Sequence, residues 1–145
     1  RCTHLLYDPG ISVVKDAQIA LGAGGVHAFH DPTEGGVATG LWELAKAAKV
    51  GLTVDVERLP ILPECAAICQ IYGLDPLGLI ASGSLLIAAR KDHAPSIIEQ
   101  LSRHGIAATV IGEAVPIDQG RCLRSADGSL RPLPTFQRDE LARLF

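Results

Sequence analysis

The sequence predicts an α/β domain, and three observations carry that reading. Short apolar or alternating runs recur between stretches with helical spacing. Glycine and proline punctuate the junctions. Hydrophobic residues make up 48% of the 145 positions against 20% charged, enough to build a real core in one domain.

The elements follow in order. Ile11, Val14, Ala17 and Leu21 stand at helical spacing after the turn Asp8-Pro9-Gly10, and Gly22, Gly24 and Gly25 are expected to end that helix over 11–24. Residues 26–30 read as a short apolar strand that runs into Asp31-Pro32-Thr33-Glu34-Gly35-Gly36. Val37, Leu41, Leu44, Ala45 and Ala48 then make one helical face, with Trp42 beside it. Alternation over 52–56 predicts a half-buried strand. A helix over 64–72 lies between Pro63 and Gly73, followed by Asp75-Pro76. Residues 84–89 form an apolar strand. Ala94, Ile97, Ile98 and Leu101 give a helix face that stops at Gly105, and 107–111 predict another strand. Asp127-Gly128 marks a hairpin between 121–123 and 129–131, and 137–145 predict a last helix capped by Thr135.

Stripped down, the middle reads strand–helix–strand, linker helix, strand–helix–strand. That order predicts a three-layer α/β (α+β) arrangement with a ferredoxin-like split βαβ core, extended by an N-terminal helix and a C-terminal hairpin and helix. Residues 1–145 are expected to be a single domain. With no methionine anywhere and Arg at position 1, the chain is expected to be a piece of a longer protein.

Composition excludes several classes. High apolar content and a net charge of −3 exclude disorder. The acidic balance and the absence of any Lys/Arg cluster argue against nucleic acid. The longest uncharged runs, 17–30 and 76–89, fall short of the ~20 residues a membrane helix needs, and glycine interrupts both. No signal peptide is recognised. Cys2, Cys65, Cys69 and Cys122 are expected to be reduced thiols of a cytoplasmic protein.

Chemistry concentrates in the stretch from His30 to Gly36. A strand end, a carboxylate, a hydroxyl and two glycines meet at a helix N-terminus, where free N–H groups and the positive dipole end favour anions. Glycine lets a phosphate approach the backbone closely. Asp31 offers the hard oxygen that Mg²⁺ prefers. On local chemistry alone the plainer reading is ahead: Asp31 or Thr33 caps the helix and the glycines make the turn. Cys65 and Cys69, at i and i+4, have a spacing that suits a metal but lack further ligands, so core packing is expected. Gly22-Ala23-Gly24-Gly25 ends a helix instead of following a strand, the wrong context for a dinucleotide loop.

Further blocks come after the motif: Leu41-Trp42-Glu43-Leu44-Ala45, Tyr72-Gly73-Leu74-Asp75-Pro76-Leu77, Ala81-Ser82-Gly83-Ser84-Leu85-Leu86 and Val110-Ile111-Gly112-Glu113. In this order the series resembles the C-terminal domain of the aminoimidazole ribonucleotide (AIR) synthase superfamily, over roughly residues 9–116. The superfamily includes AIR synthase, selenophosphate synthetase, thiamine-monophosphate kinase and the hydrogenase expression/formation (HypE) type. The closest likeness is to the last, through Asp31-Pro32-Thr33-Glu34-Gly35-Gly36 and Gly73-Leu74-Asp75-Pro76.

The resemblance implies a two-domain, ATP- and Mg²⁺-dependent protein. Its N-terminal ATP-binding domain, absent from this chain, dimerises and supplies most ligands; the C-terminal domain completes the nucleotide and substrate cleft. Phosphoryl transfer demands positioning and charge neutralisation more than covalent chemistry. By carry-over, Asp31 and Thr33 are the catalytic candidates, with Asp31 also a Mg²⁺ ligand. Gly35, Gly36, Ser82 and Gly83 would bind nucleotide or substrate. A homodimer and a maturation partner protein are implied, and the isolated domain would be inactive.

The chain departs from the HypE pattern in two further places. Glu34 stands where that type often carries Arg, and the chain ends Leu144-Phe145 where that type ends in the Cys that bears the carbamoyl and then cyano group. Two alternatives therefore stand beside the HypE reading. One is thiamine-monophosphate-kinase-like or selenophosphate-synthetase-like chemistry; the other is a catalytically silent scaffold with the same fold.

Overall fold

The computed structural model describes residues 3–145. Its helices are α1 (Val14–Ala23), α2 (Gly36–Ala48), α3 (Pro63–Tyr72) and α4 (Ala94–Arg103). Its strands are β1 (Val26–His30), β2 (Gly51–Asp55), β3 (Leu86–Ala89), β4 (Gly112–Val115), β5 (Arg121–Arg124) and β6 (Leu130–Pro132). The α/β class stands. The chain divides into two compact units, one running up to Pro32 and including Ala81–Thr109, the other formed by Thr33–Ile80 and Val110–Phe145.

In the first unit, β1 and β3 pair antiparallel, with Phe29 opposite Ile87 and His30 opposite Leu86. Ile97 and Leu101, one turn apart on α4, bury with Ala20 of α1. Around them pack Val26, Phe29, Ile87 and Ile106. The N-terminal helix is thus an integral layer over this ladder, not an appendage. Gly24 and Gly25, both with positive φ, turn the chain from α1 into β1. Gly22, expected among the helix terminators, lies inside α1.

In the second unit, the sheet order is β4-β2-β5-β6. β2 runs antiparallel to β4 and parallel to β5, and β5 turns back into β6. Val54 and Leu123 face one another across the parallel pair, both essentially inaccessible. Ala38, Leu41 and Ala45 are the buried face of α2, at the i, i+3, i+7 spacing of an amphipathic helix. Leu44 is only half-buried and Ala48 exposed, so the buried stripe is rotated from the predicted one.

Three expectations need correction in detail. A ferredoxin-like split βαβ core would place all its strands in one sheet; instead β1 pairs with β3 in one ladder, and β2 lies in a separate sheet with β4 and β5. Periodicity reports which residues are extended, not which strands they meet. The strand expected over 107–111 starts later, at Gly112, because Ile106 belongs to the α1–α4 core and ladder pairing begins where Gly112 faces Val54. Gly112 lies so close to Thr53 O and Val54 Cα that no Cβ fits there. The last helix is a single 3₁₀ turn, Glu140–Leu144, capped by Asp139 and not Thr135. Among the described residues no helix is long and apolar enough to cross a membrane.

Candidate functional site

The glycine turn is built by the residues around it. Pro32 is buried and pre-sets an extended Asp31 at the exit of β1. The chain then turns at Thr33–Gly36, where Gly36 N–H donates to Thr33 O at 3.0 Å. Gly35 (φ 74°) and Gly36 (φ 66°) are both left-handed, and both are buried. A Cβ on Gly36 would lie 2.6 Å from Leu79 O and closer still to Leu77 O. Gly36 therefore lets α2 start directly under the 77–79 backbone. That brings the two glycine-bearing motifs, 33–36 and 73–78, into contact within the second unit.

The second motif is held as firmly. Asp75 Oδ1 accepts from Leu77 N–H at 2.9 Å and caps the 3₁₀ turn Pro76–Gly78. Asp75 N–H donates at 2.8 Å to Glu140 Oε2. Glu140 is only 8% exposed, and its carboxylate also takes Arg143 Nη1 at 2.6 Å. The Asp75 amide, followed by the Arg143 guanidinium, holds its carboxyl below the usual range. Arg143 Nη1 also donates to Gly73 O at 3.2 Å.

A third contact was not foreseen from sequence. Gly35 N–H, at the N-cap of α2, donates at 2.9 Å to Asp139 Oδ2. The tail that carries Asp139 is anchored upstream too. Phe136 fills the space where Gly78 would carry a Cβ, its ring 2.5 Å from that position. Trp42 Nε1–H donates at 3.4 Å to Leu133 O, and Arg121 stacks 4.3 Å above the Trp42 ring. Trp42 is thus half-buried and, with Phe136, lines a cleft of about 200 Å³.

The predicted site residues divide between the units. Thr33, Gly35 and Gly36 share the turn before α2, with Thr33 exposed. Asp31, Ser82 and Gly83 belong to the first unit. There, the pairing of His30 with Leu86 puts Asp31 and the 81–84 turn at the same end of the β1–β3 ladder. Asp31 and Ser82 are exposed. Gly83 (φ 95°) passes over Ile11, and Ser84 N–H closes the turn onto Ala81 O at 3.0 Å.

No group of three or more His, Cys, Asp or Glu among the described residues has metal-binding geometry. A lone exposed carboxylate such as Asp31 fits Mg²⁺ as one ligand beside phosphate oxygens and waters, the usual mode for that ion. Among the described residues no third His, Cys, Asp or Glu joins Cys65 and Cys69 in a metal-binding arrangement. Cys69 is 3% exposed, and burial, followed by the Cys65 thiol, pushes its own thiol up to about 11. A thiol raised above the ordinary value of 9.0 holds much less of the reactive thiolate at neutral pH. Native Cys69 is therefore expected to alkylate at least about a hundredfold more slowly than after urea unfolding. Timed iodoacetamide labelling with peptide mass spectrometry checks this. Cys2 lies outside the described residues.

Comparison with known proteins gives the family and the fold. Residues 7–122 match the family described as AIR synthase related protein, C-terminal domain. Carbamoyl dehydratase HypE of Rhizobium leguminosarum is 35% identical over 102 residues, 69% of this chain and 29% of that protein. The crystal structure of Escherichia coli HypE, a hydrogenase maturation protein, superposes with a TM-score of 0.81 at 30% identity, over 92% of this chain and 42% of that one. A HypE structure in complex with ATP gives 0.74 at 28%, over 83% and 38%. HypE in a HypE–HypF complex gives 0.79 at 26%, over 86% and 41%. The chain spans less than half the length of these relatives.

Proposed function

The chain belongs to the AIR synthase related protein family through its C-terminal domain, and from that premise we propose that it serves as the C-terminal half of a two-domain, ATP-dependent phosphoryl-transfer protein of the hydrogenase-maturation type. It is HypE-like in sequence and in fold. The observation that carries the reading is the buried Gly35-Gly36 turn at the start of α2, in a fold shared with a HypE structure that holds ATP.

In this reading an N-terminal domain outside this chain binds most of the nucleotide, and residues 1–145 complete the cleft. Mg²⁺ supplies charge neutralisation on the phosphates. Asp31 offers one carboxylate oxygen to that ion. Thr33 presents a hydroxyl to the transferring group, the Gly35 amide offers it a donor, and Gly36 seats the turn beneath the 77–79 backbone. Ser82 and Gly83, on the turn before β3, are read as further nucleotide or substrate contacts. Each of these residues positions or neutralises; none forms a covalent bond to substrate. The longer protein works as a cytoplasmic homodimer and meets a maturation partner, as a HypE relative does with HypF.

The test is phosphate release from ATP by this domain joined to its N-terminal domain, screened against carbamoyl-, amide- and selenide-type acceptors. Acceptor-dependent release that disappears in Asp31→Ala is the expected result, and the acceptor would separate HypE-type from selenophosphate-synthetase-like or thiamine-monophosphate-kinase-like chemistry. A second reading, a silent scaffold with the same fold, draws on Glu34 and on the carboxylate of Asp139 beside the glycine turn. No release, together with no Mg-ATP binding by calorimetry, would decide for the scaffold.

A further inference from the structure

We propose that the terminal turn around Asp139 and Glu140 is an internal strap, in which the chain's own carboxylate occupies the amide that an anionic ligand would use at the start of α2. The inference rests on the phosphate-seat reading of the Gly35-Gly36 turn.

Two observations carry it. First, Asp139 Oδ2 accepts from Gly35 N–H at 2.9 Å across 104 residues of sequence. An amide hydrogen makes one good hydrogen bond, so a phosphate oxygen and Asp139 exclude each other there. A carboxylate at this helix end gains from the same dipole that would attract the phosphate. Second, the strap is fastened mainly by polar contacts. Glu140 is buried on Asp75 N–H and Arg143, whereas Leu141 is 41% and Phe145 100% exposed. A turn that buries so little apolar surface belongs to the low-stability end of a fold and opens without unfolding the rest.

A closed strap reduces apparent ligand affinity by the fraction of molecules in which it is open. Arg143 neutralises Glu140 but donates nothing to Asp139, which leaves a negative charge at the seat whenever the strap is closed.

The experiment compares the full chain with Asp139→Ala and Asp139→Asn. Asparagine keeps an oxygen for the Leu141 cap and removes only the charge. Amide exchange at Gly35, followed by NMR, reports opening, and titration with inorganic phosphate reports binding at the same resonance. Gly35 exchange is expected to rise in Asp139→Ala, with phosphate binding there about tenfold tighter than in the unaltered chain and Asp139→Asn in between. Unchanged Gly35 exchange in Asp139→Ala would overturn the strap. Raised exchange with equal phosphate affinity in all three proteins would overturn it too, while leaving the phosphate seat standing. Raised exchange with no phosphate shift at Gly35 in any of them would overturn strap and seat together.

Discussion

Gly36→Ala is expected to destabilise the folded chain by about 3 kcal/mol, a shift of roughly 10 °C in Tm. Two penalties combine. At φ 66° an alanine sits in the left-handed region, which costs about 1–2 kcal/mol. Its Cβ also lands 2.6 Å from Leu79 O and nearer to Leu77 O, against backbone that cannot swing aside as a side chain does. Leu77 and Gly78 are buried and Leu77 N–H is tied to Asp75, so relief requires moving the whole 3₁₀ turn. Forced overpacking of this kind adds about 1–3 kcal/mol.

Gly35→Ala is the informative comparison. It carries the same backbone penalty, but its Cβ meets the Thr39 side chain, which changes rotamer to make room. Denaturant unfolding monitored at Trp42 should therefore rank Gly36→Ala well below Gly35→Ala. Equal losses would mean that the 77–79 backbone is not what demands a glycine at 36.

That comparison also shows what was legible in the sequence and what was not. Two glycines before a helical run are visible as a turn, and the turn is where it was expected. They make the turn, as local chemistry suggested, and Gly36 has a second reason besides. Gly36 makes room for the carbonyls of Leu77 and Leu79, a contact across some forty residues that no spacing rule reports. Strand positions were readable from alternation and apolar runs, as in β1 and β2, because side-chain period follows from local geometry. Strand partners were not, since Phe29 would satisfy the same pattern opposite any apolar strand. The run 107–111 shows the remaining ambiguity. Its apolarity is spent partly on the α4 core through Ile106, and the ladder begins only at Gly112.

The tail was the least legible part. Leu141, Leu144 and Phe145 suggested a helix with an apolar side, yet the turn is pinned through Asp139 and Glu140 instead. An acidic pair ahead of a short apolar run carries an N-cap signal, and Asp139 does cap Leu141. Nothing in that signal names Gly35 or Asp75 as further donors. Those partners are set by where the chain returns, which is a property of the fold.

Glu140 sets the second large effect, and its sign with pH can be worked out. Glu140→Ala is expected to cost about 2 kcal/mol, because it leaves the half-buried Asp75 amide without its acceptor and breaks the ion pair with the more exposed Arg143. Glu140→Gln keeps an oxygen for the amide and loses only the charge, so about half that loss is expected. The folded-state carboxyl titrates below its ordinary value of 4.5. Between the two values the unfolded chain binds the proton and the folded chain does not, so stability rises with pH across that window. The contribution is fully present above about pH 5 and is lost as pH falls through the folded-state value. Asp55, held low by Arg124, and Asp92, held at about 2 by Arg90, lose stability in the same acid range. The difference between the unaltered chain and Glu140→Gln is therefore the quantity to follow by urea unfolding. It should shrink steadily from pH 5 downward, as protonation removes from the unaltered chain the charge that the variant already lacks. A difference that stayed constant down to pH 3 would mean that the Glu140 charge contributes nothing to holding the tail on Asp75, and that hydrogen-bond geometry alone seats it there.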